Sequence, residues 1–109
     1  GISRITYEIT CYIQKHYSNS SLSIGLIADS LGLTPAYLCQ VFKKETHKTI
    51  NDYINEYRIE KSKELLKSRN IKLYEVSENC GYNDVKYFTK TFKKITGKKP
   101  SEYRESILT

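Results

Sequence analysis

Apolar residues recur along this chain at steps of three and four positions, which is the spacing of one face of an α-helix. The first such run lies near the start of the chain, at Ile5, Ile9, Tyr12, Ile13 and Tyr17. Further runs of the same kind predict about seven helices, and no segment alternates apolar and polar residues as a half-buried strand would. The pattern therefore predicts an all-α fold.

Glycine and capping residues predict where the helices begin and end. We expect the second helix to stop at Gly32 and the fifth at Gly81, because glycine takes the left-handed conformation without steric cost. Thr34, which is followed by a proline, has the features of a helix start, and Asn83 is expected to cap the sixth helix. A longer fourth helix is predicted from about residue 51 to residue 68.

The chain contains two copies of one pattern. Residues 24–33 align with residues 73–82, so that the two turn glycines coincide. After one inserted residue, the segment 42–44 aligns with the segment 92–94. Each copy is a short helix, a glycine turn and a longer helix, which is the arrangement of a helix-turn-helix. The repeat thus predicts two helix-turn-helix units in tandem.

The length of the chain favours one domain, since 109 residues can bury only a modest core. We expect that domain to cover residues 1–109. Within it, a first helix-turn-helix subdomain is expected at residues 1–48, a linker helix at 49–69 and a second helix-turn-helix subdomain at 70–109. Because the chain starts with glycine rather than methionine, we also expect more protein upstream.

The charge of the chain favours a polyanionic partner. There are 18 Lys and Arg residues against 12 Asp and Glu residues, which gives a net charge of +6. Between residues 86 and 104 basic residues predominate, and the acid in that stretch is Glu102. Nucleic acid and an anionic membrane surface are both partners of this kind. No apolar run reaches the ~20 residues that span a bilayer, so we expect no membrane partner.

The sequence does not predict catalysis or a bound cofactor. It has no paired carboxylates, nucleophile elbow, phosphate loop or cluster of metal ligands, so we expect no enzyme, no cofactor, no metal and no small-molecule ligand in this domain. The cysteines are far apart and form neither a CxxC pair nor a His–Cys cluster, which supports neither a disulfide framework nor a zinc site. A reducing cytoplasm is the expected location.

The outward faces of the third and sixth helices carry side chains that can read bases. With Phe42 and Phe92 turned into the core, the predicted base-facing set is Ala36, Cys39, Gln40, Lys43, Val85, Lys86, Thr89 and Lys90. Glutamine can bond adenine, lysine can donate to guanine, and small or hydroxyl side chains suit thymine methyl groups. The set predicted to contact phosphates is Thr34, Lys44, Asn83, Lys93, Lys94 and Lys98.

Other side chains are expected to support the fold. Tyr37 and Tyr87 are predicted to pack at the edge of the core, and Cys80 to be buried. Arg58 is predicted to bury its stem and to pair with an acid. Cys39, on an outward face, is the candidate for a reactive thiol, although no resolving cysteine stands beside it.

Three segments resemble the AraC/XylS family of bacterial transcription regulators. The run GYNDVKYFTKTFKK at residues 81–94, with matching positions as far as Arg104, is similar to the family signature of the second unit. Residues 28–46 resemble the first unit, and residues 58–66 the linker helix. The resemblance implies sequence-specific binding of double-stranded DNA for transcription regulation. It also implies that both recognition helices enter successive major grooves, joined by the fourth helix.

The chain departs from the family pattern at four positions. Gln40 and Lys90 stand where arginine is frequent, and Val85 where proline is common, so the operator cannot be inferred from a relative. His47 replaces the usual glycine at the end of the third helix. That position needs the left-handed conformation, which histidine tolerates better than most residues.

The resemblance also bears on the rest of the protein. Residues 83–88 and 101–104 look most like family members fused to phosphoacceptor receiver domains of two-component systems, which would make this chain an output domain. A sugar-binding sensor barrel and a stand-alone activator are the alternatives. A different class of function is a module that binds protein, for example RNA polymerase. The polar and basic outward faces favour DNA over a partner that is protein alone.

Overall fold

Seven helices make up the computed structural model, which describes residues 1–109. In chain order they are α1 Arg4–His16, α2 Ile24–Leu31, α3 Pro35–Thr46, α4 Ile50–Leu65, α5 Leu73–Asn79, α6 Val85–Thr96 and α7 Pro100–Leu108. No residue lies in a strand. The predicted all-α fold is confirmed.

Hydroxyl side chains define the start of the first four helices. The Ser3 hydroxyl accepts a hydrogen bond from the backbone N–H of the third residue of α1, and Ser23, Thr34 and Thr49 do the same for α2, α3 and α4. Each of these bonds satisfies an N–H group that the helix itself leaves free. The short helices α2 and α3 therefore begin at fixed positions, and the predicted cap at Thr34 is confirmed.

Asp84, not Asn83, caps α6. The Asp84 Oδ1 accepts a hydrogen bond from the backbone N–H of Lys86 at 2.9 Å, whereas Asn83 is an exposed residue of the preceding turn. The prediction of Asn83 as the cap was wrong by one position. Asparagine and aspartate have the same capping chemistry, and here they stand side by side, so the sequence pattern does not distinguish them.

Two apolar clusters form the core. The first contains Ile9, Ile13, Ile27, Ala28, Leu38, Phe42, Ile50 and Ile54. The second contains Ile59, Leu66, Val76, Cys80, Tyr82, Phe88 and Phe92. The first half of α4 faces the first cluster and its second half faces the second, so α4 joins α1–α3 to α5–α7. The predicted burial of Phe42, Phe92 and Cys80 is confirmed.

α4 ends at Leu65, before the predicted residue 68. The carbonyl oxygen of Leu66, which a continuing helix would use for its own ladder, accepts a hydrogen bond from the Arg104 Nε at 3.2 Å instead. The Leu66 side chain is fully buried in the second cluster. The helix therefore ends where the second unit binds both the carbonyl group and the side chain of Leu66.

Each unit pairs a short helix with a longer one across a turn that contains a left-handed glycine. The axes of α2 and α3 differ in direction by 99°, and Gly32 between them has φ 68°. The turn between α5 and α6 contains Gly81, with φ 93°. A steep angle and a glycine turn are the features of a helix-turn-helix.

No single helix is long and apolar enough to cross a membrane. The bent pair formed by α2 and α3 reaches the necessary length and apolar composition only when its two helices are taken together.

Arg58 is buried, as predicted, but the predicted acid partner is wrong. Only 8% of the residue is exposed. Its Nε donates to the carbonyl oxygen of Tyr17 at 2.9 Å, and its Nη2 donates to that of Asn19 at 3.0 Å. Helix ends leave carbonyl groups without partners inside the helix, and the end of α1 presents that of Tyr17 to the guanidinium. The carbonyl oxygen of Asn19, in the loop after α1, accepts from the guanidinium as well as from the N–H of Leu22. These neutral acceptors occupy the place that the sequence interpretation gave to a carboxylate.

Candidate nucleic-acid interface

α3 presents a polar stripe on the face opposite the core. Leu38 and Phe42 are fully buried, while Ala36, Gln40 and Lys43 are exposed. These three exposed positions are spaced four and three residues apart, so they lie one above another on one face of the helix. Cys39 is only half-buried and packs against the first apolar cluster, so it lies at the edge of this stripe.

α6 presents the equivalent stripe in the second unit. Lys86, Lys90 and Lys93 are exposed at the same four-and-three spacing, and Val85 at the start of the helix is 39% exposed. Thr89 is half-buried, and its hydroxyl donates to the carbonyl oxygen of Val85 at 2.9 Å. Thr89 therefore offers its methyl group and its oxygen lone pairs at the edge of the stripe, while its proton is already used.

The two stripes occupy matching positions in the two repeats. Ala36, Gln40 and Lys43 in α3 correspond to Lys86, Lys90 and Lys93 in α6. The stripe of α3 is thus largely neutral, whereas that of α6 is entirely basic. The two helices share a geometry but carry different chemistry.

The tyrosines beside the stripes are more exposed than predicted. Tyr37 is 46% exposed and Tyr87 is 51% exposed, although both were expected at the edge of the core. Each lies three residues before a stripe residue, Gln40 or Lys90, and so is adjacent to it on the helix surface. The sequence interpretation placed both at the edge of the core, and the Tyr87 ring centroid does lie 5.9 Å from that of the buried Tyr82. What it missed is that about half of each tyrosine is exposed. The three-residue spacing was the signal that could have identified them.

The basic side chains predicted to meet phosphate are free of ion pairs. Lys44, Lys93, Lys94 and Lys98 are all exposed. The four ion pairs of the structure lie elsewhere, joining Arg4 to Glu8, Lys48 to Glu56, Lys63 to Glu60 and Arg69 to Glu105. Since none of these lysines is held in an ion pair, their ammonium groups are available to an anionic partner.

The amino ends of α3 and α6 differ in charge. Thr34 gives α3 a neutral cap, and its Oγ1 accepts from the N–H of Tyr37 at 3.2 Å. At α6 the carboxylate of Asp84 already occupies the N–H of Lys86, with Asn83 exposed beside it. A negative charge at a helix N-terminus is stabilising for the helix, but it disfavours a second anion at the same place. The amino end of α6 therefore carries a negative charge of its own, whereas that of α3 does not.

A cleft of about 560 Å³ separates the start of α4 from α6. Lys90 and Lys94 of α6 line one side, and Asp52 and Glu56 of α4 are among the residues that line the other. This side of α6 carries mixed charge. The cleft therefore bounds the basic surface of α6 on the side that faces α4.

Of the three cysteines, Cys80 is the buried one, and its burial disfavours the reactive thiolate form. Desolvation in the second cluster raises the pKa of the Cys80 thiol to about 11, even though the nearby Arg58 charge acts in the opposite direction. Cys11 is exposed and Cys39 is half-buried. All three are free thiols.

The fold and the exposed polar stripes on the second helix of each unit define a tandem helix-turn-helix protein, and comparison with known proteins agrees. Residues 27–106 match the helix-turn-helix domain family of the AraC type. The uncharacterized helix-turn-helix-type transcriptional regulator YijO of Escherichia coli K12 is 39% identical over 93 residues, and the Msm operon regulatory protein of Streptococcus mutans is 38% identical over 88 residues. These alignments cover 85% and 81% of this chain. The chain spans 32% of the length of each regulator.

Solved structures of response regulators have the same fold. The C-terminal domain of AraT from Geobacillus stearothermophilus superimposes with a TM-score of 0.93 and 35% identity, covering 96% of this chain and 87% of that one. The C-terminal domain of the response regulator yesN from Fusobacterium nucleatum gives a TM-score of 0.88 and 34% identity, covering 94% and 99%. The chain belongs to the AraC family, and it is a DNA-binding domain of a transcription regulator.

Proposed function

We propose that the chain reads double-stranded DNA with α3 and α6, each lying in one of two successive major grooves on one face of the duplex. The observation that carries this proposal is the pair of matched stripes, exposed at equivalent positions of the two repeats. A major groove admits an α-helix, and grooves on one face recur about once per helical turn, roughly 10 base pairs. A single chain with two such helices therefore reads two motifs at that separation.

The residues divide into a set that faces bases and a set that faces phosphates. The base-facing set is Ala36, Cys39, Gln40, Lys43, Val85, Lys86, Thr89 and Lys90. The phosphate-facing set is Thr34, Lys44, Asn83, Lys93, Lys94 and Lys98. Because the stripe of α3 is largely neutral and that of α6 is basic, the two motifs differ in sequence. The binding site of one chain is thus asymmetric, unlike the palindrome that a symmetric dimer reads.

Both units belong to one DNA-binding domain in this proposal. The subdomains are residues 1–48 and 70–109, with the linker helix at residues 49–69 between them. The support is the two apolar clusters, to which α4 contributes on both sides.

The first experiment tests which residues read bases. Preferred sites are selected from a random duplex pool by the parent, by Gln40→Ala and by Lys90→Ala. Each variant should lose about 1–3 kcal/mol of discrimination at one motif and keep the preference at the other. If both variants retain the parent's preference at every base pair, α3 and α6 do not read the sequence through these side chains.

The second experiment tests the geometry. Inserting five base pairs, about half a helical turn, places one motif on the opposite face of the duplex. The parent should then fail to protect both motifs in a footprint, whereas an insertion of about ten base pairs returns both motifs to one face at a greater distance. Protection of both motifs by one bound chain after the five-base-pair insertion contradicts the proposal.

The whole protein is proposed to be a bacterial response regulator that acts in the cytoplasm, with this chain as its output domain behind a receiver domain. The support is the similarity to the C-terminal domains of AraT and yesN. A surface for RNA polymerase is the second candidate function, and it fits a regulator that also binds DNA. The coding sequence upstream of residue 1 tests the receiver assignment. A sugar-binding barrel encoded there contradicts it.

A further inference from the structure

The two halves of the domain come into backbone contact where the turn before α6 meets the end of α1. A Cβ atom built on Gly81, in the turn before α6, would lie 2.3 Å from the carbonyl oxygen of Tyr17, at the end of α1. The same Cβ would lie 2.8 Å from the Nε of Arg58. The loop after α1 in the first unit and the turn before α6 in the second unit therefore meet with the Arg58 guanidinium between them.

Arg58 holds both units at this contact. Its Nε and Nη2 donate to the carbonyl oxygens of Tyr17 and Asn19 in the first unit. Its guanidinium carbon lies 5.3 Å from the ring centroid of Tyr82 in the second unit. Burial lowers the pKa of Arg58, but a guanidinium stays charged at neutral pH. A buried charge that loses its partners is costly, so the side chain resists any motion that separates them.

Tyr82 is fixed at its other end as well. Its hydroxyl donates to the Oδ1 of Asn55 at 2.8 Å, and Asn55 lies on α4 one turn before Arg58. A tyrosine hydroxyl is protonated at neutral pH, and burial raises the pKa of Tyr82 further, so it donates this bond over the whole physiological range. Tyr82 lies three residues before Val85, the first residue of α6, and the stripe of the second unit begins at the next residue, Lys86. The contact between the two units therefore lies beside the amino end of α6.

We propose that Arg58 is a positioning residue that fixes the separation of α3 and α6, and with it the base-pair spacing at which the protein accepts its two motifs. This inference rests on the proposed function. One additional base pair moves the motifs apart by about 3.4 Å. Hydrogen bonds are lost when donor and acceptor separate by more than about 3.5 Å. The hydrogen bonds from Arg58 to Tyr17 and Asn19 would therefore break if the two units moved apart by one base-pair step. The apolar packing of the units against α4 is not directional and does not fix their separation in the same way.

The test measures affinity as a function of spacing. The two motifs selected by the parent are placed on duplexes with one or two base pairs removed or added between them, and binding is titrated at fixed salt. The parent should lose roughly tenfold in affinity, about 1.4 kcal/mol, for each step away from its preferred spacing. Arg58→Lys keeps the charge but cannot bond both carbonyl groups and the ring with one planar group. Its affinity should vary less than about threefold over the series, with unchanged affinity for each isolated motif.

Arg104 provides the matched control. Its Nε donates to the carbonyl oxygen of Leu66 and its Nη2 to that of Ile71, at 3.2 and 2.7 Å. It therefore makes the same two-carbonyl contact as Arg58, but both of its hydrogen bonds go to the loop between α4 and α5 and neither reaches the first unit. Arg104→Lys should lower thermal stability while keeping the steep dependence on spacing.

Three results overturn the inference. One is a steep spacing profile in Arg58→Lys that matches the parent. Another is an equal loss of affinity at all spacings, which indicates support of the fold alone. If circular dichroism finds Arg58→Lys unfolded, the profile of Tyr82→Leu is used, because this variant removes the ring that the Arg58 guanidinium contacts in the second unit. A profile as steep as the parent's then counts against the inference. Failure of the parent to bind any two-motif site contradicts the proposed function itself.

Discussion

Replacing Gly81 by alanine should destabilise the protein far more than the same replacement at Gly97. Both glycines are left-handed, with φ 93° and φ 87°. A left-handed residue with a side chain costs about 1–2 kcal/mol, and alanine regains about 0.4–1 kcal/mol by restricting the unfolded chain. At Gly97 no heavy atom lies within 4 Å of an added Cβ. Gly97→Ala should therefore cost about 1 kcal/mol.

At Gly81 the same backbone penalty is joined by a steric one. The added Cβ would lie 2.3 Å from a backbone oxygen, that of Tyr17, which cannot move without shifting the end of α1. Relieving the overlap displaces the two carbonyl groups that Arg58 bonds. Hydrogen bonds to charged groups contribute about 1.5–3 kcal/mol each, so losing both adds about 3–6 kcal/mol. Gly81→Ala should thus cost about 4–7 kcal/mol, a large share of the roughly 5–15 kcal/mol that stabilises a domain.

Urea unfolding followed by circular dichroism measures both costs on the same scale. The difference between the two variants is the informative quantity, because the contribution of the backbone conformation cancels. Costs that agree to within about 0.5 kcal/mol would mean that the contact between Gly81 and Tyr17 has no energetic importance, and that the turn needs glycine for its conformation alone. In that case the contact could not position one unit against the other either.

The other predictions concern charge, the end of α3 and the thiols. Replacing Lys94 and Lys98 together by alanine should reduce the slope of log affinity against log salt by about 1.8, since each phosphate contact contributes about 0.9; an unchanged slope removes both from the phosphate contacts. His47→Gly should raise the free energy of unfolding by about 0.5–1 kcal/mol, because His47 is left-handed with φ 63°; a lower melting temperature would be the contrary result. A thiol reagent at pH 8 should modify the exposed Cys11 at once and Cys80 only on unfolding, because burial raises the pKa of Cys80 to about 11. Rapid modification of Cys80 in the folded protein would contradict its burial.

The spacing of apolar residues, together with the glycine and capping residues at the helix ends, was sufficient to predict the helices. Both signals depend on residues that are near one another in sequence. The repeat also located both stripes, since equivalent positions on two helices have the same relation to their apolar faces. The cap of α6 was misplaced by one residue, where Asn83 and Asp84 are both favoured capping residues. The partners of Arg58 were not predictable, because Tyr17 and Asn19 bond it through backbone carbonyls, which every residue has. The exposure of Tyr37 and Tyr87 likewise depends on how the helices pack, and an aromatic residue alone does not indicate it.

Because α4 contributes to both apolar clusters, neither helix-turn-helix unit can be separated from the other without losing part of its core. Ile50 and Ile54 complete the first cluster, and Ile59 belongs to the second. A fragment of about 40–60 residues is marginally stable even with a complete core, and a chain cut after residue 48 lacks part of its own. Neither helix-turn-helix is therefore a module that a gene rearrangement can transfer intact. Selection for binding to only one of the two motifs still has to preserve both units. Each unit packs against one half of α4, and both depend on that helix.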